Sequence, residues 1–179
     1  MMKHIILILG LIGLIVSCHY EKPGYYEGDS YVQMWRGENA VGVDSGMSVV
    51  SPQKNNYITV SKSKLQDTAW FIVHAMGHPS SGARQVMFEQ YSVGEESGYL
   101  EAVPDVNFVP FGEPGLMERM VIPADTALAH IPVVVKYDPS PESAGKSFHL
   151  YVRLVPTEDF GVTTFGWTRG CVTFTNSAY

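Results

Sequence analysis

Cys18 has the most defined chemical setting in this 179-residue chain. A cationic start, Lys3 and His4, leads into an apolar run over residues 5–16 that ends in Leu14-Ile15-Val16-Ser17-Cys18. That run covers roughly half of a ~30 Å hydrocarbon core, so it reads as the h-region of a signal and not as a membrane span. Branched Ile15, then Val16 and small Ser17 before the cysteine, resemble a lipobox. The expected chemistry is a thioether from the Cys18 sulfur to diacylglycerol, cleavage before Cys18, and acylation of the new amine. Residues 1–17 are therefore read as a lipoprotein signal helix. The alternative, a secretory peptide with an incidental cysteine, is disfavoured because no small-x-small cleavage site lies between Tyr20 and Tyr26. Acyl chains at about 0.8 kcal/mol per buried CH₂ would make the membrane a partner through lipid.

Side chains suited to ligand binding come next. In Phe165-Gly166-Trp167-Thr168-Arg169-Gly170, the glycines predict a loop tip carrying Trp167 beside Arg169. The indole offers stacking area and the guanidinium a fixed fork of donors, so Trp167 and Arg169 are the candidate ligand-binding pair. The chain holds 8 Phe, 10 Tyr and 3 Trp, more amphipathic ring surface than a core needs. Tyr25, Tyr26, Tyr31, Trp35, Tyr91 and Tyr99 are the other rings in polar or strand-end settings, although core and tether roles account for most.

Other constellations argue against chemistry. His74 and His78 have the spacing of a zinc-protease helix, but Ala75 stands where the general base would be. On a strand the two would lie roughly 13 Å apart at about 3.3 Å per residue, too far to share an ion. Asp105, Glu113, Glu118 and Asp125 are loop carboxylates without EF-hand spacing. Ser45, Ser92 and Ser97 lack the Gly-x-Ser-x-Gly elbow. Cys171, in an apolar run, reads as a buried small hydrophobe. The expectation is no catalytic residue, no metal ligand and no cofactor.

The elements that must position these residues are strands. Residues 67–76 put Ala69, Phe71, Val73 and Ala75 on one face and Trp70, Ile72, His74 and Met76 on the other, both largely apolar, which predicts a central strand. Residues 127–137 alternate in the same way, with Pro132 marking an edge or bulge. Residues 147–155 alternate most cleanly, Phe148, Leu150, Val152 and Leu154 against Ser147, His149, Tyr151, Arg153 and Val155. Shorter strands are predicted at 31–36, 47–50, 57–60, 84–91, 106–109, 119–122 and 171–174. Residues 77–82 and 138–141 carry turn chemistry. No window of 11 or more residues has a helical stripe, so helical bundles and alternating α/β folds are excluded. The fold expected is all-β: an antiparallel immunoglobulin-like β-sandwich over residues 31–179, behind a lipidated tether at 18–30.

Several stretches taken in order resemble a family of uncharacterised lipoproteins from Bacteroidetes. They are Val121-Ile122-Pro123-Ala124-Asp125-Thr126, Ile131-Pro132-Val133-Val134-Val135-Lys136, Phe148-His149-Leu150-Tyr151-Val152-Arg153-Leu154 and Asp159-Phe160-Gly161-Val162. Looser likeness at 68–73 and 84–88 extends the match over residues 67–174. The family has Asp before its second-strand arginine, where this chain has Ala83 before Arg84. Its members continue for several dozen residues past the point matching Tyr179, which implies a sandwich short at its C-terminus. The resemblance implies an immunoglobulin- or Calx-beta-like sandwich, a domain of unknown function, and genes beside outer-membrane glycan-import systems. It brings no catalytic residues.

Removing residues 1–17 leaves 11 Lys and Arg against 18 Asp and Glu, a net charge of −7 without a basic patch. Nucleic acid is excluded as partner, since phosphate binding needs clustered cations. The function expected is a non-catalytic outer-membrane lipoprotein of the cell envelope. It would serve as a binding or accessory module of a glycan-capture system, with glycan or outer-membrane import proteins as candidate partners. The alternative is a structural or adhesive module that binds protein. A hydrolase built on two converging carboxylates ranks third.

Overall fold

The computed structural model describes residues 29–34, 57–94, 98–163 and 168–179. Cys18, Trp167 and the strand expected at 47–50 lie outside the described residues. In chain order the elements are β1 (Tyr31–Met34), β2 (Tyr57–Val60), β3 (Gln66–Met76), β4 (Arg84–Gln85), β5 (Met87–Gln90) and β6 (Leu100–Glu101), followed by the single-turn helix α1 (Pro114–Met117). Then come β7 (Val121–Ile122), β8 (Leu128–Lys136), a 3₁₀ turn (Pro141–Ser143), β9 (Ser147–Val155), β10 (Gly161–Val162) and β11 (Arg169–Asn176).

Two sheets face each other, as the alternating sequence requires. The first has the order β10-β1-β3-β8; the second has β2-β11-β9-β5, with β6 also on β9. A short β4–β7 pair stands apart from both. Alternate residues of β3, β8 and β9 fill the space between: Phe71, Val73, Ile131, Val133, Val135, Leu150 and Val152 are fully buried. Phe71 from the first sheet meets Phe88 from the second edge to face, centroids 5.6 Å apart, and Phe148 stacks on its cross-strand partner Phe174 at 5.3 Å. This is the expected all-β sandwich, with β3 central between β1 and β8.

The central pairs β1–β3, β3–β8 and β9–β11 are antiparallel, while β1–β10, β2–β11 and β6–β9 are parallel. Parallel partners must be brought together by a crossover, so strands distant in sequence supply them. Pro132 sits where the sequence placed it, on β8 at the end of the first sheet. Val134 and Lys136, of the same parity, bond through Val134 O and Lys136 N to Val109 and Asn107 on the side away from β3. The nitrogen of Pro132 therefore faces that outer side, and no bond to β3 is lost.

Beyond shifts of one or two residues at strand ends, two expected strands differ from the structure. Residues 84–91 form β4 and β5, divided at Val86, whose N–H turns to Met120 O at 2.8 Å while Gln85 Nε2 bonds Val86 O, Met117 O and Met120 O. The segment thus leaves β7 for β9, a change of partner that alternation does not encode. Residues 106–109 form a turn and not a strand. Asp105 has φ of 64°, and Asn107 Oδ1 accepts from Val103 N, leaving Phe108 to make single bridges to Pro104 and Val135.

Candidate functional site

The outward row of β9, His149, Tyr151 and Arg153, is the base of the site. Facing the other way, Phe148, Leu150, Val152 and Leu154 are buried in the core, so packing fixes which side chains point out. One side of β9 is served by two different segments. β5 pairs with residues 152–155 and continues as Tyr91 N to Tyr151 O at 3.1 Å; β6 pairs with Phe148 and His149 from the opposite direction. Between them residues 92–94 and 98–99 lie off the sheet, and a groove of about 500 Å³ lies at the junction.

The groove is lined by Ser92, Val93, Tyr99, Glu101, His149 and Tyr151, among others. Tyr99 stacks on His149 with centroids 3.7 Å apart and planes 19° from parallel. His149 meets Tyr151 edge to face, and its Nδ1 lies 3.1 Å from the Tyr151 hydroxyl. Tyr91 tilts against Tyr151 at 5.7 Å, and the Arg169 guanidinium lies over the Tyr91 ring at 5.8 Å. Glu101 is aimed by two donors, Ser92 Oγ at 2.9 Å and Gln90 Nε2 at 3.4 Å. Burial pushes the Tyr91 phenol above its ordinary range, against the pull of Arg169 and, more weakly, of Arg153, with Cys171 adding to the rise. The phenol is therefore a neutral donor and acceptor at physiological pH. The assembly offers ring faces, hydroxyls, an imidazole, a carboxylate and a guanidinium, the equipment for recognising a flat polar molecule.

Of the residues singled out from sequence, Arg169 takes part in this surface. It opens β11 opposite Arg153 instead of standing in a turn, because Thr168 O already accepts from Leu154 N at 2.8 Å and extends the ladder. Tyr91 and Tyr99, from the wider aromatic set, belong to the site. Ser92 does as well, as an orienting donor to Glu101. Tyr31 instead packs over Gly161, where a Cβ would come within 2.9 Å of its ring.

His74 lies on β3 and His78 in the turn after it, and Cys171 is buried in β11. Glu113 caps α1, its side chain accepting from Leu116 N at 2.9 Å; Asp105 and Asp125 occupy positive-φ positions at 64° and 57°. No group of three or more His, Cys, Asp and Glu is placed to hold a metal among the described residues. Sequence reasoning missed Glu101, His149 and Tyr151 as a cluster. The signal available was the outward row of the most cleanly alternating strand, which carries an imidazole, a phenol and a guanidinium in succession.

No protein-family model and no curated protein matches the chain. Among solved structures, the apo form of a Calx CBD1 domain is similar with a TM-score of 0.41 and 14% identity, over 83% of this chain and 97% of that one. A protein of unknown function from Bacteroides ovatus is similar with a TM-score of 0.38 and 14% identity, over 80% of this chain and 45% of that one.

Proposed function

We propose that this chain is a non-catalytic envelope lipoprotein that binds a saccharide in the groove lined by Tyr99, His149 and Tyr151, with Arg169 beside it, as an outer-membrane module of a glycan-capture system. The observation that carries the reading is the run of rings Tyr99, His149, Tyr151 and Tyr91 along the outer face of the second sheet, in contact from one to the next and bordering the groove. A sugar presents an apolar face for rings and an equatorial belt of hydroxyls for polar groups at the rim, here Glu101, Ser92 and Arg169. Trp167, two residues before Arg169, extends the same reading in sequence. Anchorage would come from lipid on Cys18, with residues 19–30 as the leash.

Binding is tested with full-length protein in detergent on a glycan array. Wild type is expected to retain a defined set of glycans, and Tyr99→Ala to lose them while keeping its far-UV circular dichroism. Retention of the same set by Tyr99→Ala would remove the groove from the function. Anchorage is tested by fractionation: Cys18→Ala is expected in the soluble fraction after a carbonate wash, and a variant still held by membranes would refute the lipid reading.

A further inference from the structure

On the outward side of the second sheet, two guanidiniums face one carboxylate. Glu89, Arg153 and Arg169 form one cross-strand row, since Arg153 on β9 is the register partner of Glu89 on β5 and of Arg169 on β11. Glu89 neutralises Arg153: both Nε and Nη2 of that side chain contact Glu89 Oε1. Arg169 is exposed, and its guanidinium is held over the ring of Tyr91. With Glu89 engaged by Arg153, the row offers Arg169 no carboxylate of its own, and its exposed guanidinium keeps its charge toward solvent.

The opposite charge lies at the groove's far end. Glu101 pairs with His149, four residues along β9 from Arg153, roughly 13 Å at about 3.3 Å per residue. Ser92 and Gln90 hold it there. The outer surface is therefore polarised: Glu101 lines the groove at one end, and past the rings of Tyr99, His149, Tyr151 and Tyr91 the Arg169 guanidinium stands beside the groove at the other.

We infer that the ligand is an acidic saccharide whose carboxylate or sulfate is received by Arg169 while its sugar faces lie on the rings. The inference rests on the saccharide reading above and adds the charge and direction of the ligand. The planar fork of arginine matches two oxygens of one anionic group, which lysine cannot do. An acidic peptide offers the same anion but lacks flat apolar faces for the successive rings, so the saccharide is favoured.

Full-length protein in detergent is titrated with chemically paired probes: homogalacturonan against its fully methyl-esterified form, dextran sulfate against dextran, and polyglutamate. One acidic saccharide is expected to bind at least about tenfold more tightly than its neutral counterpart, and the pair in which this occurs distinguishes carboxylate from sulfate. Arg169→Gln is expected to abolish that ratio, and Arg169→Lys to reduce it by keeping charge without the fork. Circular dichroism checks each fold; if Arg169→Gln is unfolded, the ratio in Arg169→Lys decides. An unchanged ratio in the folded variant overturns the inference, as does polyglutamate binding as tightly as the acidic saccharide. If Tyr99→Ala loses neutral and acidic probes alike while the Arg169 variants keep the wild-type ratio, the groove reading stands and the acidic one falls. Wild type that binds no saccharide sinks both.

Discussion

β8 and β9 are both nine-residue strands with a fully packed inner row, yet their outer rows are covered by different means. Outside β8 the chain covers itself: Val109 N bonds Val134 O at 2.9 Å, and Val134, 8% exposed, shares its outer face with Val109 and Leu116. On that same face Arg119 lies over the Trp70 ring at 5.6 Å, a cation–aromatic contact made within the fold. Outside β9 the cover is aromatic: Tyr99 stacks on His149, Tyr91 tilts against Tyr151, itself 8% exposed, and a groove lies beside these rings. The chemistry of the rows explains the difference. Pro132 and Val134 are covered by apolar chain, whereas the imidazole and phenol of β9 are covered by rings that leave polar atoms at the groove, and Arg153 stays exposed.

The sharpest way to break the comparison is through the core that both strands share. Phe71→Ala, which removes a ring with no exposure that packs on Phe88, is expected to cost about 3–5 kcal/mol by urea unfolding. A midpoint near that of wild type would mean that the two inner rows do not enclose a common core.

The connection between the two strands is the next place to press. Asp138, just after β8, accepts from Ser140 N and Ser140 Oγ, each at 2.9 Å, and from Ser143 Oγ. Asn176 at the end of β11 accepts from Asp138 N at 3.0 Å and donates to Asp138 O at 2.8 Å. Burial acts against the charged carboxylate, but the bonds from Ser143 and Ser140 outweigh it and hold Asp138 below its ordinary pKa. A depressed folded pKa means the stabilisation is complete above the unfolded value of about 3.9 and is lost as pH falls through the folded one. Asp138→Ala should lose roughly 1–3 kcal/mol at pH 7 by leaving buried donors unsatisfied. The gap between wild type and variant should narrow as the pH is lowered through the folded pKa. A gap that widens in acid would show that the carboxylate is not the stabilising form.

Two smaller effects separate the outer face of β8 from that of β9. Arg119→Ala should cost about 0.5–1 kcal/mol, the usual worth of an exposed cation–aromatic contact, with saccharide binding unchanged. Tyr99→Ala should change stability by no more than about 0.5–1.5 kcal/mol, the worth of one aromatic pair, and abolish binding. If Arg119→Ala impaired binding as much as Tyr99→Ala did, both outer faces would serve the ligand and the contrast between them would disappear.

The inner face of the sandwich was legible residue by residue. Period-two alternation grouped Ala69, Phe71, Val73 and Ala75 on β3, and Phe148, Leu150, Val152 and Leu154 on β9, and each group is buried; Tyr151, from the other row of β9, is buried as well. Tyr57–Val60 and Ser147–Val155 match their expected limits, and Pro132 marked its edge. The site was less legible. Arg169 was picked for its neighbour Trp167, but its described role comes from Tyr91 on β5 and Arg153 on β9.

Alternation is a local property, fixed because successive side chains on an extended backbone point to opposite faces, so the sequence by itself determined which residues share a face and that the fold is built of strands. It also determined the setting of Cys18, whose expected lipid chemistry is a matter of adjacent residue types. Pairing is not local. The parallel neighbours of β1, β2 and β9, the change of partner at Val86, and the meeting of Tyr99 with His149 fifty residues later depend on which segments dock once the core closes. Only the tertiary structure decided those, because the free energy that selects them comes from apolar burial across the whole sandwich, and the outer groove is what that selection left between β5 and β6.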